Sequence, residues 1–155
     1  MERQELEQTA TALIAKGKGI LAADETVPTL TKRFATLKIE STEDSRRAYR
    51  ELFFTTPDVS EFISGVILQV ETIRQKNAAG TPLAEVLSKQ GIIPGIKVDT
   101  GAKVLAGSPE EKVTEGLDGL PDRLKEYRAL GARLDRKSTR LNSSHLKLSR
   151  MPSSA

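Results

Sequence analysis

The sequence contains no cysteine, no tryptophan and a single histidine among its 155 residues. Without cysteine, the chain has no disulfide framework, no thiolate nucleophile and no cysteine-ligated zinc site. One histidine excludes a polyhistidine metal site. No apolar run approaches the ~18 residues of a membrane-spanning helix, and the first residues lack the basic-then-apolar pattern of a signal peptide. We therefore expect a cytoplasmic protein that binds neither a membrane nor a metal.

The net charge of +3 is distributed unevenly along the chain. Residues 135–155 contain five basic residues and one acidic residue, a net charge of +4, whereas residues 1–134 carry −1. All 11 glycines lie in residues 1–134, while half of the 12 serines lie in the last 21 residues. The composition therefore predicts two segments, 1–134 and 135–155, and not one evenly basic domain.

Short apolar runs alternate with segments of helical spacing. The runs near residues 20–23, 62–70 and 96–99 have the length and β-branched content of buried strands. Apolar residues at helical spacing precede the first run, separate the runs and follow the last one, and residues 106–120 are expected to form a loop. This order predicts an α/β fold in which parallel strands are joined by right-handed crossovers.

Each predicted strand ends in charged residues. Asp24 and Glu25 follow the first strand, Glu71 follows the second, and Lys97 and Asp99 lie at the end of the third. The carboxyl ends of parallel strands form the ligand site in such folds. Lys97 and Asp99 are two residues apart and therefore face the same side of the sheet. The pattern leaves two interpretations open, a catalytic pair or a structural ion pair.

Three arginines lie on one predicted helix, at positions 46, 47 and 50. They could bind anionic groups, but a solvated helix face is the usual explanation of such a run. From the pattern alone we interpret Arg46, Arg47 and Arg50 as surface residues.

Five segments together resemble the N-terminal part of a class I fructose-bisphosphate aldolase. They are GKGILAADE at 17–25, RRAYRELFF at 46–54, GVILQVET at 65–72, GIKVDTG at 95–101 and GLDGLPDRLKEYRALGAR at 116–133. The resemblance covers nearly all of residues 1–133. It implies an incomplete (β/α)8 TIM barrel that contains about the first three strands and their helices.

The resemblance also implies a reaction and the residues that serve it. The family cleaves fructose 1,6-bisphosphate reversibly to glyceraldehyde 3-phosphate and dihydroxyacetone phosphate in glycolysis, without a metal or other cofactor, through a lysine Schiff base. Asp24 matches an aspartate that contacts the substrate, and Lys97 matches an active-site lysine that helps to hold it. Thr29, Arg33 and Arg46 match positions that bind a substrate phosphate, whereas Arg47 and Arg50 remain surface residues. Family members are commonly homotetramers.

The resemblance stops after Arg133. The family continues with a fourth strand that contains a Lys-Trp-Arg motif, and this chain has no tryptophan. The lysine and arginine of that strand, the acid/base glutamates and the Schiff-base lysine have no counterpart. Lys137 and Lys147 do not lie in a buried strand that would activate an amine. We therefore expect the chain by itself to be inactive.

Residues 135–155 leave several interpretations open. A basic arm for nucleic acid or an acidic membrane is one, and a disordered extension is another. The sequence RKSTRLNSSHLKLSRMPSSA also resembles translated adapter or vector DNA, which we favour because composition and family resemblance change at one point. A further possibility for residues 1–134 is a different Schiff-base barrel enzyme that acts on another phosphosugar, against which GKGILAADE argues.

Overall fold

A computed structural model describes residues 3–137 of the chain. The helices of this part are α1 (Arg3–Leu13), α2 (Val27–Thr36), α3 (Glu43–Phe54), α4 (Val59–Phe62), α5 (Val70–Arg74), α6 (Leu83–Lys89) and α7 (Leu120–Ala129). Its strands are β1 (Gly19–Ala23), β2 (Ile63–Leu68), β3 (Ile93–Lys97), β4 (Gly101–Leu105), β5 (Ser108–Glu115) and β6 (Leu134–Arg136).

Four strands form a parallel sheet in the order β1–β2–β3–β6. Helices lie along the chain between successive strands of this sheet, because parallel neighbours cannot be joined by a tight turn. The α/β class is confirmed, and the sheet of the described residues is open, as an incomplete barrel requires. The three strands expected from the apolar runs are β1, β2 and β3.

The structure adds a fourth strand, β6, which the sequence pattern did not predict. Its residues Leu134, Asp135 and Arg136 pair with Gly95, Ile96 and Lys97 of β3. A strand of three residues is too short to show an alternating pattern. β6 crosses position 134/135, so that two residues of the basic segment belong to the sheet. Residues 138–155, on which the other predictions for that segment fall, lie outside the described residues.

The prediction of a loop over residues 106–120 is wrong. Strands β4 and β5 pair as an antiparallel hairpin, in which Lys103 lies opposite Val113. Gly107 occupies the connecting turn with a φ of 79°, a conformation that costs glycine no steric strain. The sequence of β5, SPEEKVTE, is rich in charge and mostly exposed. It therefore lacks the apolar alternation that identifies a strand.

The core lies between the parallel sheet and the helices that cover it. β2 is buried along Ser64–Leu68, as expected for a central parallel strand that is covered on both faces. Helices α3, α6 and α7 each direct side chains into the core cluster, among them Phe54, Leu83, Leu87 and Tyr127. Each fully buried large apolar side chain contributes about 1.5–3 kcal/mol to folding. Packing in this core therefore stabilises the parallel sheet.

Gly95 allows β3 and β6 to lie against each other. A Cβ atom at this position would lie 2.7 Å from Cγ and 2.8 Å from Cδ1 of Leu134. Any larger residue at position 95 would therefore push the Leu134 side chain away. Pro94 and Gly95 both lie within β3.

Helix α3 begins with a reciprocal cap formed by Thr42 and Ser45. Thr42 Oγ1 accepts a hydrogen bond from the Ser45 backbone amide at 3.1 Å, and Ser45 Oγ accepts one from the Thr42 amide at 2.9 Å. This reciprocal capping satisfies two amides that have no partner within the helix. It also fixes the start of a helix on which Arg46 and Arg50, four residues apart, share one face.

Candidate functional site

A row of charged side chains lies at the carboxyl ends of the parallel strands. The register aligns one residue of each strand across the sheet: Ala23, Leu68, Ile96 and Asp135. One residue further along β1, β3 and β6 come Asp24, Lys97 and Arg136, of which Lys97 and Arg136 are direct partners in the ladder. Because successive side chains alternate between the faces of a sheet, these three residues share one face.

Asp24 is joined to the fourth strand by an ion pair. Its carboxylate Oδ2 accepts a hydrogen bond from Nη1 of Arg136 at 2.7 Å. Asp24 is buried, whereas the Arg136 side chain is 42% exposed. A charge-assisted hydrogen bond of this length gives the buried carboxylate a charged partner. The sequence did not identify Arg136, because composition assigned it to the basic segment.

Lys97 and Asp99 form the ion pair that their spacing allows. The Lys97 ammonium donates to Oδ1 of Asp99, whose side chain is 2% exposed. Asp99 also accepts from the backbone amide of Gly101 at 3.3 Å, at the first residue of the hairpin. The pair therefore exists as a structural feature, and the catalytic role of Lys97 remains a prediction.

Glu25 lies between two arginines. Arg33 donates to its Oε1 and Arg50 to its Oε2, and Arg50 also donates to the Glu25 backbone carbonyl at 2.9 Å. Burial by itself raises the pKa of Glu25, but a hydrogen bond from its own backbone and the charges and hydrogen bonds of Arg50 and Arg33 lower the pKa below its ordinary value. The surface interpretation of Arg50 is wrong, because this side chain is 2% exposed. The spacing of the arginines along one helix does not show that Arg50 contacts Glu25, which lies 25 residues earlier in the sequence.

Arg46 is held by Glu71, the acidic residue that follows β2. Arg46 Nε donates to Oε2 of Glu71 at 2.9 Å, and Nη2 donates to Oε1 at 2.5 Å. Its Nη1 donates to the carbonyl of Ser41 at 3.0 Å. The hydrogen bond to Glu71 raises the pKa of Arg46 above its ordinary value. Arg46, which the resemblance predicts to bind a substrate phosphate, is therefore held by two hydrogen bonds to Glu71.

Thr29 and Arg33 lie together on α2, which begins two residues after Glu25. The hydroxyl of Thr29 lies 3.0 Å from that of Thr26, and Thr29 is exposed. Arg33 comes one turn later and is 55% exposed. Since Asp24 and Glu25 are adjacent, the α2 residues adjoin the charged row at the end of β1. Of the five predicted site residues, Asp24 and Lys97 share the row, Thr29 and Arg33 share α2, and Arg46 lies on α3.

Within residues 3–137, no helix is long and apolar enough to cross a membrane. The same residues contain no group of three or more His, Cys, Asp or Glu side chains that could hold a metal ion. The charged groups at the strand ends are cations and carboxylates in pairs.

Parallel strands in sequential spatial order, helices between them and polar residues at the strands' carboxyl ends define part of a β/α-barrel protein. The family model named Glycolytic, described as "Fructose-bisphosphate aldolase class-I", matches residues 5–152. The chain belongs to this family of glycolytic carbon–carbon lyases. The match runs into the segment that composition separates from the rest of the chain.

Curated relatives support the same assignment. A protein of Xanthomonas axonopodis pv. citri, named "Probable fructose-bisphosphate aldolase class 1", is 59% identical over 133 residues, which are 86% of this chain and 40% of that protein. "Fructose-bisphosphate aldolase 2" of Plasmodium berghei is 55% identical over 130 residues, 84% of this chain and 35% of the relative. The chain therefore spans about two fifths of the length of the curated relatives that it matches.

A solved structure has the same fold. It is the fructose-bisphosphate aldolase of Plasmodium falciparum in a ternary complex with TRAP and a small-molecule inhibitor. The TM-score is 0.82 at 51% identity, and the match covers 85% of this chain and 38% of the solved one. The described sheet is therefore a segment of an aldolase barrel.

Proposed function

We propose that this chain supplies the sugar-phosphate-binding half of a fructose-bisphosphate aldolase site. The observation that carries the proposal is the row of Asp24, Lys97 and Arg136 on one face at the strand ends. Two cations, each paired with a carboxylate, converge at the carboxyl end of a barrel segment and suit a ligand with phosphates and hydroxyls. Lys97 would hold the anionic ligand, and Asp24 would contact its hydroxyls.

The helices beside the row would add phosphate ligands. Arg33 is more than half exposed, and Thr29 presents a hydroxyl one turn before it on α2. Arg46 is less accessible, because three of its hydrogen bonds already go to Glu71 and Ser41. Within the proposal, Arg33 and Thr29 therefore contact phosphate first, and Arg46 would have to exchange its partner to do so.

The proposal also states that this chain by itself does not catalyse the reaction. The Schiff-base lysine that the family implies has no counterpart in residues 1–155, so the chain by itself should form no imine and cleave no carbon–carbon bond. Lys97, the lysine in the charged row, is held in an ion pair with Asp99, and an ammonium group is not a nucleophile. A cytoplasmic location and a homotetrameric assembly of the whole protein belong to the same proposal.

The test combines binding and trapping. Isothermal titration of the chain with fructose 1,6-bisphosphate should give saturable binding, and Lys97→Met should weaken it because the row loses a cation. Lys125→Met is a matched control, since Lys125 is an exposed lysine that pairs with Asp122 on α7. Equal loss in both variants, or no binding to the unaltered chain, would contradict the proposed site.

Borohydride reduction tests the absence of an imine. The chain is incubated with dihydroxyacetone phosphate and sodium borohydride, and its mass is measured. We expect no mass increase, whereas a covalent adduct would show that a lysine of this chain does form the Schiff base. Mapping the adduct by peptide mass would then identify that lysine.

A second candidate function is nucleic-acid binding by residues 135–155. The net charge of +4 of this segment favours it, because basic segments bind phosphate backbones with a strong dependence on salt. Binding of a labelled oligonucleotide that weakens with salt and disappears when residues 135–155 are deleted would support this function. Binding that survives the deletion would exclude it.

A further inference from the structure

Glu25 holds two arginines that differ sharply in exposure. Its carboxylate accepts from Arg33 through one oxygen and from Arg50 through the other. The Arg33 side chain is 55% exposed, and that of Arg50 is 2% exposed. One carboxylate shared by two guanidinium groups leaves the cluster with a net charge of +1. The geometry thus separates a fixed cation from an accessible one.

Arg50 is the fixed cation. Besides the Glu25 carboxylate, it contacts the Glu25 backbone carbonyl at 2.9 Å, and its guanidinium carbon lies 5.4 Å from the centroid of the Tyr49 ring. Tyr49 is itself packed edge-to-face against Phe34 and Phe53, at centroid distances of 5.6 and 5.0 Å. If this buried guanidinium moved away from Glu25, a buried charge would be left without a partner, which costs free energy.

Arg33 is the accessible cation. A hydrogen bond and the charge of Glu25, and to a smaller extent the Tyr49 hydroxyl, raise the pKa of Arg33 above its ordinary value. More than half of its side chain faces solvent, and salt bridges of exposed side chains are weak. Arg33 can therefore leave Glu25 at low cost, provided that another anion receives it.

We propose that Glu25 is a positioning residue that holds Arg33 until a phosphate replaces the Glu25 carboxylate as the partner of Arg33, while Arg50 keeps Glu25 stationary during the exchange. This inference rests on the proposed sugar-phosphate function. After the exchange, Glu25 and Arg50 remain a neutral pair, so no buried charge is left alone. Because the ligand must compete with a carboxylate for Arg33, the arrangement favours a doubly charged phosphate over a singly charged anion.

The test follows arginine side-chain Nε–Hε signals by NMR while inorganic phosphate is added to the full chain at constant ionic strength. The variants Arg33→Lys and Arg50→Lys assign the two signals. In the unaltered chain the Arg33 signal should shift with phosphate and the Arg50 signal should stay. Glu25→Gln should bind phosphate roughly two- to fivefold more tightly, as expected when a weak competing ion pair is removed.

Glu51→Gln is the matched control. It removes the same charge from the neighbouring helix α3, but the Glu51 carboxylate pairs with Arg47 at 2.6 Å. Its phosphate affinity should equal that of the unaltered chain. An equal gain in Glu51→Gln would mean a general charge effect and would overturn the inference. A loss of affinity in folded Glu25→Gln would overturn it too, because a purely structural residue would produce that result.

The remaining outcomes separate this inference from the proposed function. If phosphate shifts the Lys97 ammonium signal but not that of Arg33, the sugar-phosphate site stands and the exchange is wrong. If phosphate shifts no site residue, both are wrong. If Glu25→Gln does not fold, the NMR signals of the unaltered chain provide the test. A shift of the Arg33 signal with an unchanged Arg50 signal supports the exchange, and any other combination contradicts it.

Discussion

Arg136 on the fourth strand donates a hydrogen bond to the carboxylate of Asp24 at the end of the first, with 2.7 Å between Nη1 and Oδ2. The strands β1 and β6 are the outer strands of the parallel sheet. In a flat sheet, the outer strands of four lie roughly 14 Å apart. The hydrogen bond therefore connects the two outer strands across the ends of β2 and β3, on the face that also holds Lys97.

The coupling between these two residues is measurable by a double-mutant cycle. We expect Asp24→Asn and Arg136→Gln to be non-additive by about 1 kcal/mol in the free energy of unfolding, because Asp24 is buried while Arg136 is partly exposed. Urea denaturation followed by circular dichroism gives the four values. Strictly additive effects would mean that the ion pair does not form in solution.

Gly95→Ala should destabilise the fold by about 1–3 kcal/mol, because the added Cβ would meet the Leu134 side chain and overpack the contact between β3 and β6. Gly19→Ala in β1 is the control, since a Cβ there has nothing within 4 Å. The two variants are compared by urea denaturation. Leu134→Ala in the Gly95→Ala background should recover part of the loss; a loss that is equal in both glycine variants would contradict the contact.

Arg50→Met should cost about 3 kcal/mol of stability, because it removes the buried partner of Glu25. Arg47→Met, on the same helix, should cost less than about 1 kcal/mol, since the Arg47 side chain remains 25% exposed. Chemical denaturation midpoints measure both. Similar small effects in the two variants would restore the surface interpretation of Arg50.

The stabilising effect of Glu25 should depend on pH. Its pKa is lowered in the folded chain, so its contribution is present above the ordinary value of 4.5 and is lost as the pH falls below that value. The difference in thermal stability between the unaltered chain and Glu25→Gln should therefore be largest near neutral pH and shrink below about pH 4.5. A difference that stays constant from pH 7 to pH 3 would mean that the carboxylate is not stabilised as an anion.

Local sequence was sufficient where the determining interactions are local. The period-two spacing of Lys97 and Asp99 predicted their shared face and allowed the ion pair that forms. The apolar runs identified β1, β2 and β3, because buried parallel strands are continuously apolar. The cap of α3 is local as well, since Thr42 and Ser45 lie only three residues apart.

Local sequence was insufficient where the partner is distant or the segment is exposed. Arg50 follows two other arginines on its helix, and only Glu25 distinguishes it from them. Arg136 lies in a segment whose composition differs from the rest, yet it pairs with a residue at the other edge of the sheet. The hairpin of β4 and β5 is stabilised mainly by backbone pairing between exposed strands, which leaves little trace in the side-chain pattern.

The sequence by itself determined the fold class and the residues at the strand ends, because these depend on composition, periodicity and spacing within short segments. It also identified the family, through the resemblance of five short segments to that family. Tertiary structure alone decided which of the charges meet: Asp24 with Arg136, Glu25 with Arg33 and Arg50, and Arg46 with Glu71. The physical reason is that a salt bridge requires two charges within about 4 Å. Residues 25 or 112 positions apart reach that distance only when the fold brings the strand ends close to one another and to helix α3.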